Sequence, residues 1–582
     1  MATNSSRLAS STPHTDCHVT SNLPERPRRP PALQGFDQLV PAHPGLEQLD
    51  DSTTILAYAL TYLDGDAGIP RSILARAGRS LRTWGSNGEP ATVTPEEAGI
   101  EPTLSALLSS PEQLQTAINR LKDSGLVDMD GDGGVLWMHA GTRARCKLLL
   151  QYPNRWMVQA ILLVCHAFPR DRYLEEDFND LGPAYIAQVR HVLQHYDALD
   201  AVDHVSLPIQ QTVAYTLVAS SVLSIRVWKI AALERAEEIA AGFEVRDECL
   251  DRMIMARRTE IFRPKDSSMT ASLMDLPTTN NQLNALSGEI FLILSAEYLQ
   301  NKGDLDMAFQ LLQNVQPMNR NHISTLEELV LQKKAIVLGR IRRFEGNFEE
   351  ARQVLEAVYY NSALFPEGVV AVSSSNCDLV SHLAATLCEL GNPTQAEMLL
   401  SAKLDIIHTS SKRKGNPALR LRLSLAEAVL QQGEYWRAQD IYWDLTRHIG
   451  ISQGQQDSMS VCRLNIGLAR VQHVQGNWIA ALKHWERALW VYDNNPGIKG
   501  FGTVVVYASI AFVKRQMGDV HGATRYEAQA RELFRQTGRR YWFTSLGTVW
   551  LDQVMPGLDE QKDIIRSSES LLPIDETSSG VN

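Results

Sequence analysis

Two histidines, His191 and His195, stand four apart in a stretch that reads as helix, a spacing that sets both rings on one face within reach of one metal ion. The HExxH pattern is absent and no third ligand sits at a compatible spacing, so the expectation is two surface histidines and no metal. No G-x-x-x-x-G-K-[ST] loop, G-x-S-x-G elbow, Gly-rich dinucleotide loop or kinase signature occurs. Carboxylates are plentiful, but none pair up away from a helix surface. Lys412, Arg413 and Lys414, just ahead of Gly415, make a short basic run that reads as a solvated loop. The chain is therefore expected to be no enzyme and to need no cofactor.

Composition narrows the classes further. A formal net charge of -11 argues against a chain built to grip nucleic acid, which wants a broad basic surface. The seven cysteines are odd in number, scattered and never in a C-x-x-C pair, which fits a reducing compartment and supplies no zinc ligands. Cys165, in MVQAILLVCHAF, reads as a small core residue. The N-terminus carries no signal-peptide run, and the longest apolar stretches, near 161–164 and 213–223, fall well short of the ~20 residues of a membrane span. A cytoplasmic protein is expected. The cluster PERPRRPP at 24–31 could be a nuclear address, but a solvated linker is the simpler reading.

The length of 582 residues exceeds what one core supports. Residues 1–50, rich in Ser, Thr, Pro and Arg without periodicity, read as a disordered tail. Residues 51–150 read as three helices and a hairpin. The first helix runs from about Thr53 to Leu63, and the second opens at Pro70. The third begins after Ser110-Pro111 with Leu114, Ile118 and Leu121 on one face. Two short apolar runs then flank Asp130-Gly131-Asp132-Gly133-Gly134, a tight-turn signal. This segment resembles the winged-helix module that follows the nucleotide-binding core in NB-ARC and NACHT-type signalling proteins. Met138-His139 falls where that family carries Met-His-Asp, with Ala140 in place of the Asp. The family's His senses a nucleotide held by a P-loop. No P-loop exists here, so the resemblance implies the module without its nucleotide domain, and His139 is expected to be satisfied locally.

Residues 151–284 read as an irregular helical linker or degenerate repeats, with a loop near 264–284. Beyond them the chain repeats itself. Gly303, Gly346, Gly391, Gly433, Gly476 and Gly518 are separated by 43, 45, 42, 43 and 42 residues. Alanine follows each at five positions: Ala308, Ala351, Ala396, Ala438, Ala481 and Ala523. A small residue precedes each by seven: Ala296, Gly339, Ala384, Ala426, Ala469 and Ala511. The glycine suits a left-handed cap that ends a first helix, and the Asp or Asn after it in five of six repeats suits the start of the next. The small residues fit a close helix crossing, with Leu312, Leu355, Leu400, Tyr442 and Trp485 filling the seam.

The pattern resembles the long-period tetratricopeptide repeat of kinesin light chains and of signalling proteins with NB-ARC modules. GNWIAALKHWERALWVY, 476–492, carries the resemblance best. It implies six repeats over 285–552 and, with the segment before them, an all-α fold: a right-handed α-solenoid of helix-turn-helix repeats preceded by a small winged-helix domain. Residues 553–582 read as a flexible tail.

In such solenoids the first helix of each pair lines the concave groove. The corresponding positions are Ile290, Ile293, Glu297, Gln300 and Asn301 in the first repeat, then Lys333, Arg340, Arg343, Arg420, Arg463, Arg470, His473 and Arg515. Asp378, Glu389 and Glu427 add to Glu297 as acids there. The excess of cations suggests an acidic peptide or a C-terminal carboxylate clamped by arginine forks, against the alternative that these arginines pair with neighbouring acids and solvate the face. The function expected is a protein-protein interaction scaffold or adaptor. A second reading is a transcriptional or pathway regulator pairing a winged helix with sensor repeats, and a third an accessory protein of a metabolic gene cluster. DNA contact would want a basic third helix, and residues 111–123 set Arg120 and Lys122 against Glu112 and Asp123.

Overall fold

The computed structural model describes residues 49–558 except 132, 176, 201–204, 224–225, 263–277, 300–303, 362–373, 410–415, 450–458, 495–499, 538–547 and 557. The expected N-terminal tail, the PERPRRPP cluster, Gly303 with Gln300 and Asn301, the 412–414 basic run and residues 559–582 lie outside the described residues. Among those described are 23 helices and little sheet, so the fold is all-α. The chain divides into two compact units. The first comprises Met1–Leu81, Val93–Pro169 and Asp180–Val213. The second comprises Arg82–Thr92, Arg170–Asn179 and Ala214–Asn582.

In the first unit α1 (Asp51–Leu60) starts at Asp50, whose carboxylate accepts the Thr53 amide at 2.7 Å. Its fully buried Leu56, Ala57 and Leu60 face α3 (Pro102–Ser109), α4 (Pro111–Asp123) and α6 (Pro153–Ala167). Ser110 caps α4 and Pro111 occupies its first turn, where a missing N–H costs nothing. The expected hairpin is β4 (Asp128–Met129) and β5 (Val135–Trp137). A third strand, β1 (Ile69–Pro70), joins it in the order β1-β5-β4, all antiparallel. Two residues are too few to leave a period in the sequence. α2 (Arg71–Ala77) follows, and α5 (Ala140–Leu149) and most of α7 (Phe178–Asp200) complete the unit, which thus extends past the expected boundary at 150. Gln188 of α7 is fully buried and ties down the turn after α1, bonding the Asp64 amide at 2.9 Å and the Gly68 carbonyl at 2.9 Å.

The hairpin of β2 (Leu81–Trp84) and β3 (Pro90–Val93) was not legible in the sequence, and its residues 82–92 belong to the second unit. There it supplies acceptors to two helix starts. The Gln282 amide donates to the Ser86 carbonyl at 3.1 Å, and the Thr325 amide donates to Glu89 Oε1 at 3.0 Å. The last part of α8 (Leu207–Ser220), then α9 (Arg226–Ala241) and α10 (Glu248–Phe262) lead into the helix pairs. These are α11 (Asn281–Glu297) with α12 (Leu305–Gln313), α13 (Thr325–Phe344) with α14 (Phe348–Asn361) and α15 (Ser374–Glu389) with α16 (Pro393–Thr409). α17 (Asn416–Gln431) with α18 (Tyr435–Ile449), α19 (Met459–Val474) with α20 (Trp478–Asp493) and α21 (Phe501–Gln516) with α22 (Val520–Thr537) complete the six. Each helix packs on the next, and first helices also pack on one another, as a solenoid requires.

The repeat chemistry is the one the spacing implies. All five described repeat glycines have positive φ, between 74° and 84°. Each donates to the carbonyl three residues back, and the residue after it donates to the carbonyl five back, as in Gly391 to Cys388 at 3.1 Å and Asn392 to Leu387 at 2.8 Å. That is a Schellman end, which satisfies carbonyls a helix otherwise leaves open. The following Asp or Asn caps less uniformly: Asp304 and Asp519 accept from the next turn, whereas the Asn477 side chain bonds Gln472 instead. All six alanines are fully buried. A Cβ at Gly339 would stand 2.6 Å from Leu355, so the crossing admits no larger residue. Leu355, Leu400, Tyr442 and Trp485 fill the seams at 0% exposure.

The first and last pairs share one apolar cluster, while the middle repeats form two of their own. A short further helix, α23 (Thr548–Val554), joins the shared cluster through Trp550, Leu551, Val554 and Met555. Residues just past 553 are therefore core, in place of the expected flexible tail, because the aliphatic side chains find an apolar surface on α21. Among the described residues no helix is long and apolar enough to cross a membrane.

Candidate functional site

The groove positions read from the repeat lie where consecutive first helices face each other, and most of their cations are bound within the chain. Arg463 on α19 grips Glu427 on α17 through Nε at 2.9 Å and Nη2 at 2.7 Å, and its Nη2 also reaches Ser424 Oγ at 3.0 Å. Burial alone would lower the Arg463 pKa, but Glu427 outweighs it and holds the guanidinium above its ordinary value. Arg420 on α17 pairs with Asp378 on α15. Arg515 on α21 pairs with Glu527 on α22 at 2.5 Å. Lys333 on α13 pairs with Glu289 on α11 at 2.7 Å and lines a separate cavity. The hydroxyls of Ser381 and Ser424, in adjacent repeats, bond at 2.7 Å. Apart from the Arg515 pair, which lies within one helix pair, these contacts form a polar ladder that staples one repeat to the next.

Arg470 and His473 on α19 are occupied too, by α23. Trp550 lies under the Arg470 guanidinium at 5.0 Å and meets the His473 ring edge-on at 4.9 Å. Its indole N–H donates to Ser509 Oγ at 3.0 Å. His473 stacks in turn on Phe512, 4.9 Å away. Burial, followed by the Arg470 charge, pushes His473 down to about 4, so the ring is neutral at pH 7. Sequence reasoning missed α23, since a single tryptophan in a short apolar run leaves no period to read.

What remains is a cluster on α13 and α15. Arg343 is 2% exposed, and its Nε and Nη1 find no hydrogen-bond partner among the described residues. Burial lowers its pKa to about 9, which keeps it charged at neutral pH, and burial with the nearby Arg420 takes Arg340 to about 10. Burial and these arginines push His382 well below its ordinary range, and its Nδ1 is also unpartnered among the described residues. Glu389 and Glu427 act on Arg343 from α15 and α17. Across the face five cations (Arg340, Arg343, Arg420, Arg463 and Arg470) meet three carboxylates (Asp378, Glu389 and Glu427), so these eight residues sum to two positive charges. Ile290 is core, Ile293 is half-buried against it, and Glu297 is half-buried.

The remaining candidates in the first unit carry no assembled chemistry. His191 and His195 are half-buried, not surface residues, and meet edge to face at 4.7 Å, with Tyr62 against His195 at 5.5 Å. Burial, then the neighbouring His191 and Lys147, lowers His195 to about 4. Among the described residues no group of three or more His, Cys, Asp or Glu is placed to hold a metal ion. The His139 carbonyl accepts the Arg143 amide at 2.9 Å as α5 begins, a local role.

The second unit is thus an all-α solenoid of tetratricopeptide-like helix pairs. No family model matches the sequence, and no curated protein matches it. Two solved structures are similar. One is BtubC (BKLC) from P. vanneervenii, 14% identical over 51% of this chain and 96% of that one, with a TM-score of 0.29. The other is a signal transduction ATPase with numerous domains and a tetratricopeptide repeat sensor from Pyrococcus horikoshii. It is 10% identical over 88% of this chain and 66% of that one, with a TM-score of 0.36.

Proposed function

We propose that this chain is a non-enzymatic interaction scaffold whose first-helix face holds an acidic segment of another protein, with the α13–α15 cluster as the anion-binding centre. The observation that carries the reading is Arg343. A buried guanidinium with unused donors costs stability unless an acceptor arrives, and a partner carboxylate would supply one. The six described cysteines are free thiols, which accords with a cytoplasmic setting.

In this reading the first unit, with its three-stranded sheet and packed helices, serves as a winged-helix-like docking module. DNA contact is disfavoured because Arg120 on α4 is already paired with Asp50. Charge reversal at Arg463 would break the Glu427 pair and destabilise the contact between two repeats, so Arg343 is the better probe. The test is fluorescence anisotropy of a labelled Glu-rich peptide and its Gln counterpart against the whole chain and Arg343→Met. The reading expects the acidic peptide alone to bind, and the variant to lose it while keeping its melting temperature. Equal binding of both peptides, or an unaffected variant, overturns the reading.

A further inference from the structure

Away from the first-helix face, a cavity of about 160 Å³ opens in the second unit between residues 170–173 and α8, α10, α11 and α13. Much of its lining is apolar, with Val218, Val222, Ala256, Leu329 and Val330 among the contributors. One side is charged, and most of that charge is spoken for. Lys333 Nζ donates to both oxygens of Glu289, at 2.8 and 2.7 Å. Arg257 pairs with Glu260 and donates to the Ser221 carbonyl at 2.8 Å. Asp171 accepts from Trp84 Nε1 at 2.9 Å and from the Tyr173 amide at 2.7 Å.

Arg172 is different. It lines the cavity, is solvent-exposed, sits 5.0 Å over the Tyr173 ring and, although Glu289, Asp171 and Glu260 act on its charge, makes no ion pair with a carboxylate among the described residues. Counting the lining, four cations (Arg170, Arg172, Arg257 and Lys333) face three carboxylates (Asp171, Glu260 and Glu289). One positive charge is in surplus. A guanidinium fork matches a carboxylate in two parallel bonds, and an apolar cavity of roughly 150 Å³ accepts a benzene-sized body.

We infer that this cavity binds a small amphipathic monocarboxylic acid, its ring-sized apolar body among the α8, α10 and α13 side chains and its carboxylate on Arg172. The site is built from residues other than the acidic-segment cluster, so either can fail without the other. Bidentate geometry and a single surplus charge favour a monoanion over phosphate, and the three fixed carboxylates would repel a dianion.

The experiment is isothermal titration calorimetry of the full chain with 3-phenylpropionate, its neutral isostere 3-phenylpropionamide, and inorganic phosphate. The acid should bind, the amide about tenfold more weakly, as loss of one charge-assisted contact implies, and phosphate not measurably. Arg172→Met, at an exposed position that packs no core, should bring the acid down to the amide's affinity and leave the amide unchanged. Equal affinities for acid and amide, an Arg172→Met chain that still prefers the acid, stronger binding of phosphate, or heat from none of the three each overturns the assignment.

Discussion

Gly433 and Ala438 carry, in two residues, what makes the solenoid legible. Gly433 sits at φ 82°, where a side chain costs about 1–2 kcal/mol, so Gly433→Ala should lower the unfolding free energy by that much, seen as a lower urea midpoint at an unchanged slope. Ala438 is fully buried at a helix crossing, and Ala438→Leu should destabilise by about 1–3 kcal/mol through overpacking. Both effects follow from spacing alone, because they arise within one helical hairpin. His473 could be placed by spacing but its state could not. As pH falls below 6.5 the unfolded chain protonates this ring, whereas the folded chain resists until about 4. The unfolded state then binds more protons, so stability drains away on acidification through that window. His473→Phe keeps the aromatic stack and has no proton to take, so its stability should fall less steeply from pH 6.5 to 4. His195 and His382 keep part of the slope. A variant with the wild-type slope would contradict the buried, neutral state of His473.

The elements that escaped the sequence are those fixed by distant partners. β1 is two residues long and exists because β5 pairs with it. The β2–β3 hairpin matters because Glu89 accepts the first amide of a helix 236 residues later, the one that Ser324 caps. Glu89→Ala should cost about 1 kcal/mol, as the loss of one hydrogen bond does, and raise amide hydrogen exchange at Thr325. Protection unchanged there would show the contact to be dispensable. α23 is held chiefly by Trp550, which is 5% exposed. Trp550→Ala should cost about 3–5 kcal/mol, and exchange should rise across 548–558 before the repeats unfold. The ion-pair ladder belongs to the same scale. Spacing placed Arg420 and Arg463 on one face of their helices, but their commitment to Asp378 and Glu427 depends on how adjacent first helices register, which no single helix encodes.

For the molecule as a whole, the repeat period predicted the solenoid correctly, and four of the cations placed on the first-helix face are paired with acids of this chain, as the alternative reading of that face had it. Pairing removes four of the named cations and α23 covers two more positions, while Arg343 keeps donor nitrogens that find no hydrogen-bond partner among the described residues. A competing surface exists on the second helices, where Trp436 and Ile479 are 73% and 78% exposed. The two can be separated with a photo-crosslinking amino acid placed at Arg340 and Asp378 on the first helices, or at Trp436 and Ile479 on the second, in chains expressed in their native cells. The account predicts one partner, crosslinked through an acidic segment, at 340 and 378 and not at 436 or 479. Adducts confined to 436 and 479 would contradict it.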